Sequence, residues 1–104
     1  MFELFTRAGY SVLTADDGQQ ALDLVMRGVR PRLLVVDLLL PNVSGTEFLK
    51  YIETDPELRT TPRVVVTALA KGTVQVVADK IFHKPCDAND VLEAVKQLAP
   101  PGTF

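Results

Sequence analysis

The chain has no tryptophan, one cysteine and one histidine in its 104 residues. A lone Cys86 excludes an internal disulfide, and with His83 as the sole histidine no metal-ligating cluster is offered. That cysteine usage suits a reducing compartment, so a cytoplasmic location is expected. No glycine-rich loop follows a strand pattern, which argues against a nucleotide-phosphate cradle. A basic stripe is also missing. Lys and Arg number 11 against 13 Asp and Glu, and the net charge is −2, so direct nucleic-acid binding is not expected. The longest apolar run is broken by Asp37, which excludes a membrane span. The acidic start Met1-Phe2-Glu3-Leu4-Phe5 is too short for a signal peptide. What is present is 47% hydrophobic and 23% charged residues, enough for one folded domain over residues 1–104.

Along the chain, apolar strand patterns alternate with helical ones. Residues 2–8 read as helix, with Arg7 and Gly9 suited to its C-terminal end. Residues 11–15 read as a short strand. Asp16-Asp17-Gly18 is a turn whose carboxylates can cap a helix over 18–27, which carries Ala21, Leu22, Leu24 and Val25 on one face. Residues 33–37 form a strand without polar alternation, so both its faces are expected to be covered. The loop Pro41-Asn42-Val43-Ser44-Gly45 leads into a helix with Phe48, Leu49 and Ile52 inward, Gly45 serving as loop punctuation. Residues 63–67 are a second buried strand. A short helix is predicted over 71–79 and a short strand over 80–82. Asp87 caps a last helix with Val91, Leu92, Val95 and Leu98 on its apolar side, ended by Pro100-Pro101. This alternation means a parallel α/β sheet with helices on both faces.

Asp37 carries the chemistry. An ionised carboxylate is costly inside Leu33-Leu34-Val35-Val36-Asp37-Leu38-Leu39-Leu40, so it belongs where the strand exits into solvent. In open parallel sheets such carboxyl ends hold the functional site. Thr67 ends Val64-Val65-Val66 and Lys84 follows Ile81-Phe82-His83. An acid, a hydroxyl and an amine at neighbouring strand exits suit phosphoryl chemistry. His83 and Cys86 are read as a surface residue and a half-buried apolar one.

These residues resemble the receiver domain of bacterial two-component response regulators. Arg7-Ala8-Gly9-Tyr10 is similar to the first-helix exit, and Ala15-Asp16-Asp17-Gly18-Gln19-Gln20-Ala21-Leu22 to the second-helix entry. Asp37 through Gly45 resembles the phosphoacceptor strand and loop, Thr67-Ala68 the switch hydroxyl, and Lys84-Pro85 the phosphate-binding lysine. The resemblance implies a flavodoxin-like fold and roles for each residue. Asp37 would take a phosphoryl group as an acyl phosphate, Lys84 would neutralise its oxygens, and Thr67 would donate a hydrogen bond to one of them. The Lys84-Pro85 bond would be cis. Asp37 and the backbone carbonyl of Leu39 would hold Mg²⁺, and the donor would be a sensor histidine kinase or phosphotransfer protein.

The chain also departs from that pattern. Receivers begin with a central strand ending in an acidic pair, whereas this sequence starts within the following helix, as if truncated at its N-terminus. Glu3, Asp16 and Asp17 match other positions and do not replace the pair. Mg²⁺ binding should then be weak and phosphorylation impaired. A central strand with about five buried apolar residues contributes on the order of 8–15 kcal/mol, as much as the net stability of a whole domain, about 5–15 kcal/mol. Three escapes follow: residues 11–15 move beside 33–36 to give a four-stranded sheet, the open edge pairs with a second chain, or a segment lies upstream of Met1. A homodimer or higher association is favoured, because residues 33–36 have two sides to cover. Ile81 stands where the family has its switch aromatic, and the short interval between Thr67 and Lys84 trims the fourth helix. With only Pro100 to Phe104 after the last helix, output is expected through protein contact.

The reading is thus a non-enzymatic receiver-like domain with Asp37 as nominal phosphoacceptor. The rival is a phosphorylation-independent interaction or dimerisation module on the same fold. A haloacid dehalogenase-like phosphatase is disfavoured, since the second Asp such enzymes need two residues on is Leu39 here.

Overall fold

The computed structural model describes residues 1–101; Gly102, Thr103 and Phe104 lie outside it. The elements run α1 (Phe2–Arg7), α2 (Gly18–Met26), β1 (Leu34–Asp37), α3 (Gly45–Thr54), β2 (Arg63–Thr67), β3 (Lys80–His83) and α4 (Ala88–Leu98). The three strands form one parallel sheet in the order β1-β2-β3. Three helix starts follow from short polar side chains that satisfy a free N–H of the first turn. Asp17 accepts from Gln20 N, Ser44 from Glu47 N and Asp87 from Asn89 N.

β2 is covered on both faces. Side chains alternate across a strand, so Val65 joins Val25, Val36, Phe48 and Ile52 of the α2/α3 layer, with Leu58. Val64 and Val66 join Phe5, Val91, Leu92 and Val95 of the α1/α4 layer. Every residue of β2 is buried. Arg63, at its start, is a buried charge, tolerated because its guanidinium is fully used. It pairs with Glu53 at 2.6 Å and donates to the carbonyls of Leu58, Arg59 and Thr61.

Three sequence expectations are corrected. Residues 11–15 form no strand, so the sheet has three strands rather than four. Among the described residues no hydrogen bond joins the backbone of this run to β1. The strand expected over 33–37 is therefore not covered on both sides: in β1 only Val36 is buried, and Val35 is 36% exposed. The helix expected over 71–79 is irregular chain. Its valines are β-branched and resist the helix, Gly72 takes a positive φ of 89°, and Val74, Val76 and Ala78 pack on the α2/α3 layer instead. Asp79 closes this segment onto β2, donating its N–H to Arg63 O and accepting from Arg63 N through Oδ2. No helix among the described residues is long and apolar enough to cross a membrane.

Candidate functional site

The parallel register sets Asp37 beside Val66 and Thr67 beside His83. The three strand exits therefore open at one end of the sheet. Asp37 is the last residue of β1, and its side chain is about one third exposed at 31%. Lys84 follows β3, and its Nζ donates to Asp37 Oδ2 at 2.6 Å. Asp37 Oδ1 accepts the N–H of Leu39 at 2.9 Å. Burial pushes the Asp37 carboxyl up, but the Lys84 hydrogen bond, the Leu39 N–H and the Lys84 charge together outweigh it. The net result is a carboxyl held below its ordinary value, hence a carboxylate at neutral pH.

Thr67 lies at the same end but is fully buried. Its Oγ1 accepts the N–H of Leu69 at 3.0 Å, and its carbonyl accepts the N–H of Lys84 at 2.7 Å. The hydroxyl thus braces the loop after β2 and is hydrogen-bonded to neither Asp37 nor the Lys84 amine. The Lys84-Pro85 peptide is cis. His83 is not a plain surface residue: it is half-buried, and its Nδ1 lies 3.0 Å from the carbonyl of Leu69. Cys86 is half-buried against the α1/α4 layer, as read from the sequence. Ile81 is 38% exposed on the outer strand.

Two residues that support Asp37 escaped the sequence reading. Gly45 is more than loop punctuation. A Cβ there would stand 2.1 Å from the carbonyl oxygen of Asp37, so the first turn of α3 reaches the strand end only because this residue has no side chain. A glycine opening a helix directly after a strand-exit acid is the signal that could have found it. Asn42, at a φ of 64°, donates from Nδ2 to Asp17 Oδ2 at 2.7 Å. This clasp ties the loop after Asp37 to the start of α2. Asp17 is held below its ordinary value by the Gln20 N–H first and by Asn42 second.

The metal question turns on the donor set. Among the described residues no three His, Cys, Asp or Glu side chains come together as a metal site. Both oxygens of Asp37 already accept hydrogen bonds. A carboxylate with one backbone carbonyl such as that of Leu39 is a poor competitor for the water of a hard, strongly hydrated cation. These residues by themselves do not fit a tightly held Mg²⁺.

The geometry can be set against known proteins. The sequence model of the response regulator receiver domain matches residues 1–96. The polar-differentiation response regulator DivK of Brucella anthropi is 35% identical over 99 residues, covering 90% of this chain and 80% of DivK. The signal receiver domain of a histidine kinase from Syntrophus aciditrophicus superposes with a TM-score of 0.82 at 26% identity, over 92% of this chain and 76% of that one. The response regulator TrrA of Thermotoga maritima, solved in complex with Mg²⁺ and BeF, gives 0.77 at 25% identity over 92% and 84%. Together the match along residues 1–96 and the parallel α/β fold place the chain in the response regulator receiver domain family of two-component signalling.

Proposed function

We propose that Asp37 is the nominal phosphoacceptor of this receiver domain and that its phosphorylation is slow. The observation that carries the reading is the Asp37–Lys84 pair, 2.6 Å apart across two strand exits. In the forward step a carboxylate oxygen of Asp37 attacks the phosphorus of a phosphohistidine on a sensor kinase or phosphotransfer protein. The P–N bond breaks, the imidazole leaves and takes up a proton, and an acyl phosphate forms on Asp37. Lys84 shifts from the carboxylate to the phosphoryl oxygens, a compact cation following the charge. Thr67 contributes its hydroxyl after the loop around Leu69 moves. The step is slow because Asp37 is the one carboxylate in this donor set, which would hold a charge-screening Mg²⁺ only weakly. The same reading makes the chain a cytoplasmic, single receiver-like unit without an enzymatic activity of its own.

A second reading, an interaction or homodimerisation module independent of phosphorylation, is favoured by one observation. Ile81 stands, half-exposed, where the family resemblance places a switch aromatic, so a rotating ring is not available as readout. Intact mass after incubation with acetyl phosphate and Mg²⁺ tests the two. One added phosphoryl group, absent in Asp37→Asn, supports the phosphoacceptor. No gain in a folded sample turns the assignment to the interaction module.

A further inference from the structure

The loop after β2 is pinned to the ends of two strands through one residue. Leu69 donates its N–H to Thr67 Oγ1 at 3.0 Å, and its carbonyl lies 3.0 Å from His83 Nδ1. Thr67 and His83 end β2 and β3 and are partners in the parallel register. Leu69 therefore spans the two strand ends as a rung. Among the described residues, these are the hydrogen bonds that tie residues 68–70 to the sheet. Ala70 O is used locally, accepting from the N–H and hydroxyl of Thr73. A carbonyl oxygen has no proton to give, so His83 Nδ1 must carry the hydrogen and donate it. The ring is half-buried, and a hydrogen bond shielded from water is electrostatically stronger than an exposed one.

We propose that His83 is a positioning residue for phosphoryl uptake: it latches the loop after β2 and so sets how readily the Thr67 hydroxyl reaches a group on Asp37. The inference rests on the reading of Asp37 as phosphoacceptor. Thr67 is fully buried, and its oxygen already accepts from Leu69. To turn toward a phosphoryl oxygen, the hydroxyl must either leave the Leu69 N–H or carry it along. Leu69 is held on its other side by His83, so the latch opposes the movement that the phosphorylated state needs. The next residue ties this latch to the site. Lys84 donates its backbone N–H to Thr67 O at 2.7 Å, and its amine reaches Asp37. The run His83-Lys84 thus grips the loop with one side chain and the acid with the other.

His83→Phe keeps a ring but has no N–H to donate, whereas His83→Asn keeps a short donor. Uptake from acetyl phosphate with Mg²⁺ is followed by intact mass on the full chain. Amide hydrogen exchange is read at Leu69, with Val65 as the internal reference. His83→Phe should take up the phosphoryl group about fivefold faster, equivalent to one net hydrogen bond of about 1 kcal/mol. Its Leu69 amide should also exchange faster, with Val65 unchanged. His83→Asn should restore wild-type behaviour in both. In a Thr67→Ala background His83→Phe should leave uptake unaltered, because the hydroxyl that the latch restrains is gone. A histidine that only supports the fold would act equally in both backgrounds, and that result overturns the proposal. So do wild-type uptake or unchanged Leu69 exchange in folded His83→Phe, and an Asn variant that behaves like Phe. His83→Leu, also without a donor, carries the same test if the Phe variant folds poorly. A wild type that takes up no phosphoryl group is a separate failure. It removes the Asp37 reading and the gating with it, while Leu69 exchange still decides whether His83 holds the loop.

Discussion

β1 and β2 are near copies as strings of residues: Leu34-Val35-Val36-Asp37 against Val64-Val65-Val66-Thr67. They lie side by side in the same direction. Yet every residue of β2 is buried, while β1 buries only Val36. The polar residue that ends each follows suit. Thr67 is sealed and braces a loop, whereas Asp37 is accessible and paired with Lys84. Composition alone does not decide which of two apolar strands is a core and which is an edge. The neighbour on the far side decides it, and β2 has β3 there while, among the described residues, β1 has no strand. Asp37, the proposed phosphoacceptor, belongs to the less buried strand, where a carboxylate can meet both solvent and a reactant.

The largest test of this contrast is a matched pair of truncations. Val65→Ala should cost about 2–3 kcal/mol, because it removes methyl groups from a fully packed site. Val35→Ala should cost about 0.5 kcal/mol or less, as partly exposed positions do. Urea denaturation with unchanged slopes reads both, and equal costs would mean that β1 is covered in solution.

Gly45→Ala comes next. Its methyl would press on the Asp37 carbonyl, costing about 1–3 kcal/mol of strain. It should also slow phosphoryl uptake from acetyl phosphate, since Asp37 itself must shift. An alanine variant with wild-type stability and uptake would show that α3 does not position the acid.

Asp37→Asn should have a smaller effect, with a sign set by pH. The folded state holds this carboxyl below its unfolded value. Its contribution is therefore present above the unfolded value, near pH 4, and is lost as the pH falls through the lower folded one. Both partners are partly exposed, so the pair is worth about 1 kcal/mol or less. Wild type should exceed the variant at pH 7 and the two should converge in acid. A constant offset down to pH 2 would assign the difference to packing.

The smallest effect is expected at Ile81→Ala. Its side chain is half-exposed on the outer strand, so stability should change by no more than about 0.5–1 kcal/mol. Chemical-shift changes confined to β3 would agree with that. Shifts spreading to Thr67 and Leu69 would make Ile81 part of the loop machinery after all.

Much of the frame was legible in the sequence because local chemistry wrote it. The caps Asp17 and Asp87, the apolar stripe of α4 and the strand-exit places of Asp37 and Lys84 each follow from a few adjacent residues. What was not legible depends on partners distant in the chain. The segment 11–15 has strand-like residues but no neighbour to pair with, and a strand is defined by its ladder. Residues 71–79 show a strand-like composition in a helical place, and packing of Val74 and Val76 on the core settled the matter. Arg63 looks like a surface cation in sequence. It is buried because three carbonyls around the α3–β2 connection and Glu53 converge on it. Gly45 looks like any turn glycine until the Asp37 carbonyl is placed against it.

The Asn42–Asp17 clasp has a mechanical consequence. It joins the loop after the acid to the first turn of a helix on the α2/α3 side of the sheet, opposite α4. A loop pushed by a group arriving on Asp37 cannot move alone. It must either break a 2.7 Å bond to a carboxylate that also caps α2, or pull that cap with it. The clasp thereby couples the strand-exit loop to a helix start with which Asp37 itself shares no hydrogen bond.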